Sequence, residues 1–209
     1  MKLKKKVRAK IIIVIVVLLL ILLGFLIWKS LNSDNNEVKE VKVVSKIDKY
    51  GYKLKENKPA AYKKMFKELE TILNEKTPDE EKYVKKISEM FIYDFYSLDD
   101  KTAKTDVGGV DFVYSEVLEN FLKNAQNTYY KYVENNIYGN RNQKLPIVDK
   151  IEVGTPEQAP FAYGSQTDEK AYKVPVTWTY TSEEFSTYQK SATLVFVHDG
   201  IKLCLVELQ

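Results

Sequence analysis

The stretch Ile-Ile-Ile-Val-Ile-Val-Val-Leu-Leu-Leu-Ile-Leu-Leu-Gly-Phe-Leu-Ile-Trp at positions 11–28 constrains this chain more than any other. No charge interrupts it. At a 1.5 Å rise per residue, its length as a helix is roughly 27 Å, close to the hydrocarbon thickness of a bilayer. Insertion of central Leu, Ile, Phe and Val at about −0.3 to −0.6 kcal/mol each favours lipid by several kcal/mol in sum. Lys2, Lys4, Lys5, Lys6, Arg8 and Lys10 precede the run, with no acid among them. Positive charge stays on the cytoplasmic side, so the N-terminus is expected inside and the C-terminal part outside the cell membrane. The run exceeds the roughly 7–15 apolar residues of a cleavable signal peptide. Trp28-Lys29-Ser30-Leu31-Asn32-Ser33 offers no small-x-small cleavage site, and no Cys adjoins the run to take a lipid. The expectation is a single-pass anchor: residues 1–10 a cytoplasmic basic tail, 11–28 a transmembrane helix, 29–56 a stalk or linker, and 57–209 an extracytoplasmic domain.

Charge is divided along the same line. The tail holds six of the 32 basic groups, which leaves 26 against 29 acidic residues and a net charge of −3 beyond the anchor. A mildly acidic exported part argues against nucleic-acid binding, which requires a basic face. One cysteine, Cys204, excludes an intrachain disulfide. One histidine, His198, leaves no His/Cys cluster with metal-ligand spacing, and no EF-hand loop is present. No cofactor is indicated.

Beyond the polar stretch 29–46, Val41, Val43 and Ile47 are spaced for a short edge strand, and Tyr50-Gly51-Tyr52 reads as a turn. Tyr62, Met65, Phe66, Leu69, Ile72 and Leu73 then recur at steps of three and four, the mark of an amphipathic helix, with Asn57 as its expected cap and Pro59 in its first turn. Thr77-Pro78-Asp79-Glu80 forms a capping box for a second helix with Tyr83, Ile87, Met90, Phe91 and then Phe95 or Leu98 inward. A third helix is expected from Val110 to Asn135. After Pro146 the period changes to two. Strands are expected around Ile147–Val153, Tyr172–Tyr180 and Ala192–Val197, and Asp199-Gly200 signals a hairpin into Ile201–Leu208. The Gly-, Pro- and Gln-rich residues 154–168 read as a loop, and Pro175 as a bulge or edge position.

The fold class is therefore α+β: three helices packed on a curved, four-stranded antiparallel sheet, cone-like, after an N-terminal transmembrane helix. This order over 57–208, closed by the Trp178…Asp199-Gly200 meander, resembles the nuclear-transport-factor-two-like (ketosteroid-isomerase-like) superfamily. The resemblance implies a bent sheet around a long helix, with a pocket at the open end of the cone. Anchor, stalk and domain together are similar to single-pass subunits of conjugation and type IV secretion systems, and to anchored exported proteins of Gram-positive bacteria.

Candidate chemistry is sparse. His198 flanks the hairpin turn and Cys204 follows on the opposite strand, each read as an ordinary strand residue. Asp94, inside Met90-Phe91-Ile92-Tyr93-Asp94-Phe95-Tyr96, is the acid placed to be half-buried, and Asp111 is the next. Arg141 is the single Arg beyond the tail, in a chain with thirty Lys. Guanidinium makes planar bidentate bonds that ammonium cannot, so Arg141 is expected to hold a carboxylate or backbone carbonyls in the Asn135–Leu145 turn, with Asp94, Asp106 or Asp111 as candidate partner. Gly108-Gly109 lacks the GxxxxGK[ST] pattern and reads as a helix-entry loop. Tyr129, Tyr130, Tyr132 and Tyr138 form a candidate interaction patch. No catalytic constellation emerges. The expected function is a protein-binding subunit of a cell-envelope assembly, in its most specific form conjugative transfer machinery, bound to lipid through 11–28 and to other envelope proteins or its own copies. The alternative is an anchored small-ligand binder or enzyme using the open end of the cone.

Overall fold

The computed structural model describes Leu18, residues 21–24 and residues 41–209. The chain divides into two units, Met1–Val41 and Lys42–Gln209. In the first, Leu18 and residues 21–24 are helical. The expected basic tail, the remainder of the expected membrane helix over 11–28 and the stalk as far as residue 40 lie outside the described residues. Among the described residues, no helix is long and apolar enough to cross a membrane.

The second unit begins with a hairpin, which shortens the expected 29–56 linker. Strands β1 (Val43–Ile47) and β2 (Tyr52–Lys55) pair antiparallel around a 3₁₀ turn that Gly51 closes at φ 72°. Lysines on the outward positions disguise this hairpin in the sequence. Ile47, Tyr50, Tyr52 and Leu54 are buried in the main core, and the Tyr52 and Tyr83 hydroxyls lie 2.6 Å apart. The folded unit thus starts near residue 42 rather than 57.

Helices α1 (Ala60–Leu73) and α2 (Glu80–Tyr96) bury the stripes their spacing predicts, including Tyr62, Phe66 and Leu69 on one and Tyr83, Ile87 and Phe91 on the other. Their starts differ in detail. Pro59 itself occupies the N-cap of α1 without a side-chain bond, so Asn57 is not its cap. Asp79 rather than Thr77 caps α2, accepting from the Lys82 N–H at 3.0 Å.

The third helix is half the expected length, α3 (Ser115–Asn127). Val110–Phe112 is a 3₁₀ turn, because Tyr114 donates its N–H to Leu205 O at 2.8 Å and draws the preceding residues to the sheet. At the other end, the Thr128 hydroxyl bonds Asn124 O at 2.7 Å and its backbone leaves helical geometry (φ −119°, ψ −95°). Tyr129 and Tyr130 then turn inward.

The sheet has five strands, not four, all antiparallel: β3 (Val148–Val153), β4 (Glu157–Tyr163), β5 (Gln166–Tyr180), β6 (Ser191–Asp199) and β7 (Lys202–Leu208). The added strand β4 is the Pro-rich stretch expected to be a loop. Its register slips between Ala159 and Phe161, so Pro160 sits in a bulge of an edge strand, where a missing N–H costs little. Strand β5 is long enough to serve two partners on one side. It pairs with β4 up to Lys173 and with β3 from Val176, and Pro175 sits at the handover. The β6–β7 hairpin turns through Gly200-Ile201, Gly200 at φ 62°.

Candidate functional site

Three polar centres and one groove carry the chemistry of this unit. The first is Asp94, 6 % exposed on the inner side of α2. Its Oδ1 accepts from Lys58 Nζ at 2.5 Å and from Lys101 Nζ at 2.9 Å, and its Oδ2 accepts from the Gly109 N–H at 2.8 Å. Lys101 is 2 % exposed and also bonds Asp100 at 2.6 Å. Burial pushes the Asp94 carboxyl up, but the Lys101 and Lys58 ammoniums outweigh it and, with the Gly109 N–H, hold it down at about 2. Burial in turn pushes Lys101 down, and Asp94 and Asp100 more than restore it, so its ammonium is held above the ordinary range. The diglycine turn does bind an anion, and the anion is the chain's own Asp94. Gly108 packs so closely that a Cβ there would lie 1.9 Å from Asp94 O. Asp94 is therefore a paired structural ion, both of its carboxylate oxygens accepting bonds from the chain itself.

Arg141 is the second centre. Its guanidinium donates to Asp99 O at 2.7 Å, Lys101 O at 2.8 Å and Glu134 O at 3.3 Å. Carbonyls take all three bonds, but none of the three lies within the expected Asn135–Leu145 turn; Asp94, Asp106 and Asp111 take none. Asp106 instead accepts the Thr102 N–H at 2.9 Å. Asp111 is exposed, and its carbonyl accepts from Lys202 Nζ at 3.0 Å.

The third centre is one that sequence spacing does not reveal. His198 Nδ1 lies 2.8 Å from Asp168 Oδ2, and its Nε2 lies 3.2 Å from Glu80 Oε1. Tyr172 OH donates to Glu80 Oε2 at 2.9 Å. The cluster ties the first turn of α2 to β5 and β6, elements up to 118 residues apart in sequence. Cys204 pairs with Val197 and Leu203 with His198, so thiol and imidazole point to opposite faces of the sheet. Burial raises the Cys204 thiol, which keeps it protonated and unreactive. A thiolate–imidazole pair is absent.

The four tyrosines separate into two kinds. Tyr130 is fully buried, donating to Phe95 O at 2.6 Å and accepting the Gly108 N–H at 3.0 Å. Tyr129 OH donates to Tyr96 O at 3.0 Å. Tyr132 and Tyr138 are 74 % and 80 % exposed. They do not form one patch.

The groove runs between α3 and β7, with a cavity of about 320 Å³. Phe95, Val113, Val117, Phe121, Leu205 and Leu208 line its apolar part, and the exposed Asn120, Asn124 and Glu207 stand at its rim. Strand β7 ends the sheet order. Its outer edge is met at Leu205 by Val113 and Tyr114, and among the described residues no strand pairs with it beyond that point. No protein-family model, curated protein or solved structure matches this chain.

Proposed function

We propose that this chain is a membrane-anchored, extracytoplasmic protein-binding subunit of a cell-envelope assembly, with conjugative transfer or type IV secretion machinery as its most specific setting. In this reading the 11–28 run holds residues 42–209 outside the cell membrane. The domain is of the nuclear-transport-factor-two-like class, its cone closed by aromatic rings. Phe91, Phe95, Tyr96, Tyr129, Tyr130 and Trp178 fill the space between α2 and the sheet with ring centroids 4.3–5.9 Å apart. Asp94, Arg141 and His198 are all spent on internal bonds, which leaves little for catalysis.

The observation that carries the reading is the groove. A free strand edge offers main-chain donors and acceptors, and the cavity beside it accepts an apolar side chain, the two elements of recognition by strand addition. The occupant is an extended segment of another polypeptide. A photo-crosslinking residue at Asn120 in native membranes tests it. An adduct with a second protein that a crosslinker at Lys150 does not form supports the reading; equal or no labelling at both positions overturns it. The cavity volume, near the lower limit for small-molecule sites of roughly 300 Å³, also favours a second reading, an apolar small ligand. Native mass spectrometry of the purified protein separates the two by showing or lacking a bound small molecule.

A further inference from the structure

Helix α3 meets the groove with two rows of different chemistry. Val117, Phe121 and Ala125 form its floor at steps of four, and Asn120, Asn124 and Thr128 stand beside them as a second row at the same spacing. Asparagine is among the weaker helix formers, whereas Glu119 and Lys123, exposed and outside the lining, are ordinary choices for a helix. Among the described residues neither Asn carboxamide has a hydrogen-bond partner; the Thr128 hydroxyl bonds the backbone carbonyl of Asn124 instead. The opposite wall is main chain. Thr193 and Gln209 exchange both backbone bonds at 2.9 Å, so the alternation of an antiparallel pair turns the Leu208 N–H and C=O to the open edge. The same edge already takes a strand residue: Val113 bridges to Leu205 in parallel, and the Tyr114 N–H reaches Leu205 O at 2.8 Å. That pairing stops where α3 starts, at Ser115.

We infer that the groove clamps an extended polypeptide by both edges of its backbone, Leu208 bonding one edge and the Asn120 and Asn124 carboxamides the other. The inference rests on the strand-addition reading and deepens it. An extended chain turns the N–H and C=O of alternate residues to opposite sides, and each side repeats every two residues, about 6.4–6.8 Å. Residues four apart on a helix rise about 6 Å, so the two Asn side chains match successive residues on one side of the segment. A carboxamide offers a donor and an acceptor, the complement of a peptide unit. The lining follows β7 from Leu205 to Leu208 and α3 from Val117 to Thr128, about 10 Å and about 16 Å of chain. Between the two edges a side chain of the segment drops onto the floor and is apolar. Glu207 is the one charged residue in the lining, which selects a cation over an acid beside that apolar residue. A helix in the groove uses its backbone groups internally, and a small apolar ligand has none, so either leaves Leu208 and both carboxamides unmatched.

The test takes the segment captured in native membranes by a photo-crosslinking residue at Val206 of the full chain, mapped by mass spectrometry and synthesised as a peptide. Its amides are replaced one at a time by esters, which removes an N–H without adding bulk. Kd is then measured against the purified full chain in detergent. A loss of about tenfold per ester is expected at both alternating sets of positions. Asn120→Leu with Asn124→Leu, at two exposed positions, is expected to make one set of esters harmless and leave the other unchanged. An effect confined to one set in the unmodified chain overturns the clamp and leaves strand addition standing. So does an effect at both sets that the double variant does not alter, or a captured segment with no apolar residue beside a Lys or Arg. Esters without effect at either set, or no captured segment, overturn both.

Discussion

Asp94 decides more than any other single residue. Its carboxyl titrates lower in the folded chain, about 2, than in an unfolded one. A depressed carboxyl contributes stability that is complete above the unfolded value near 4 and fades as pH falls toward 2, on the order of 2 kcal/mol. Unfolding free energy measured by denaturant titration at pH 2–5 is expected to fall through this window, and Asp94→Asn to flatten the fall. Lys101→Ala removes the more deeply buried of the two cations on Asp94 and is expected to cost about 3–5 kcal/mol. Gly108 sets a second, purely steric limit. A methyl at 1.9 Å from Asp94 O forces helix α2 or the turn to move, so Gly108→Ala is expected to cost about 3 kcal/mol or more. Gly139→Ala, at φ 71° but with nothing within 4 Å, is expected to cost only about 1–2 kcal/mol, from backbone conformation alone. Equal melting temperatures for the two variants would contradict this contrast.

Elements are joined by side chains whose importance the sequence shows unevenly. Arg141 stood out because one guanidinium among lysines invites an explanation, and its three carbonyl bonds supply it. Arg141→Lys, which keeps the charge but cannot span three carbonyls, is expected to lower stability by about 1–2 kcal/mol and to speed hydrogen exchange at Asn136, whose N–H reaches Thr102 across the same junction; unchanged exchange there would rule this out. His198 gave no comparable signal, since Glu80, Asp168 and Tyr172 meet it only through the fold. Lys58 and Lys101 were hidden for the opposite reason: in a chain with thirty lysines, two with buried roles look like the rest. The stripes of α1 and α2 were legible because they repeat over three or more turns. The end of α3 was not, because Tyr129, Tyr132 and Val133 continue a helical spacing past the point where Thr128 breaks the backbone. Strand β4 was concealed by Pro156 and Pro160, which read as loop residues yet suit an edge strand with a bulge.

At the scale of the whole molecule, the same reasoning fixes where the folded unit begins. Sequence spacing places its first residue at 57, since Lys and Glu alternate with Val through the preceding stretch and look like a solvated stalk. In the structure Ile47, Tyr50, Tyr52 and Leu54 are 2–7 % exposed and belong to the same core as Tyr83 and Phe112. Burying four such side chains is worth about 1.5–3 kcal/mol each, or roughly 6–12 kcal/mol together, comparable to the 5–15 kcal/mol that holds a typical domain folded. A fragment beginning at residue 57 also takes from the Tyr83 hydroxyl its Tyr52 partner at 2.6 Å, leaving it only the Leu203 N–H at 3.1 Å. The core contains no described residue before Ile47. A 42–209 fragment is therefore expected to unfold cooperatively at the temperature of the same unit in the full chain, and a 57–209 fragment to lack a cooperative transition. Circular dichroism melts of the two fragments check it: comparable transitions in both would mean the β1–β2 hairpin rests on a core that stands without it.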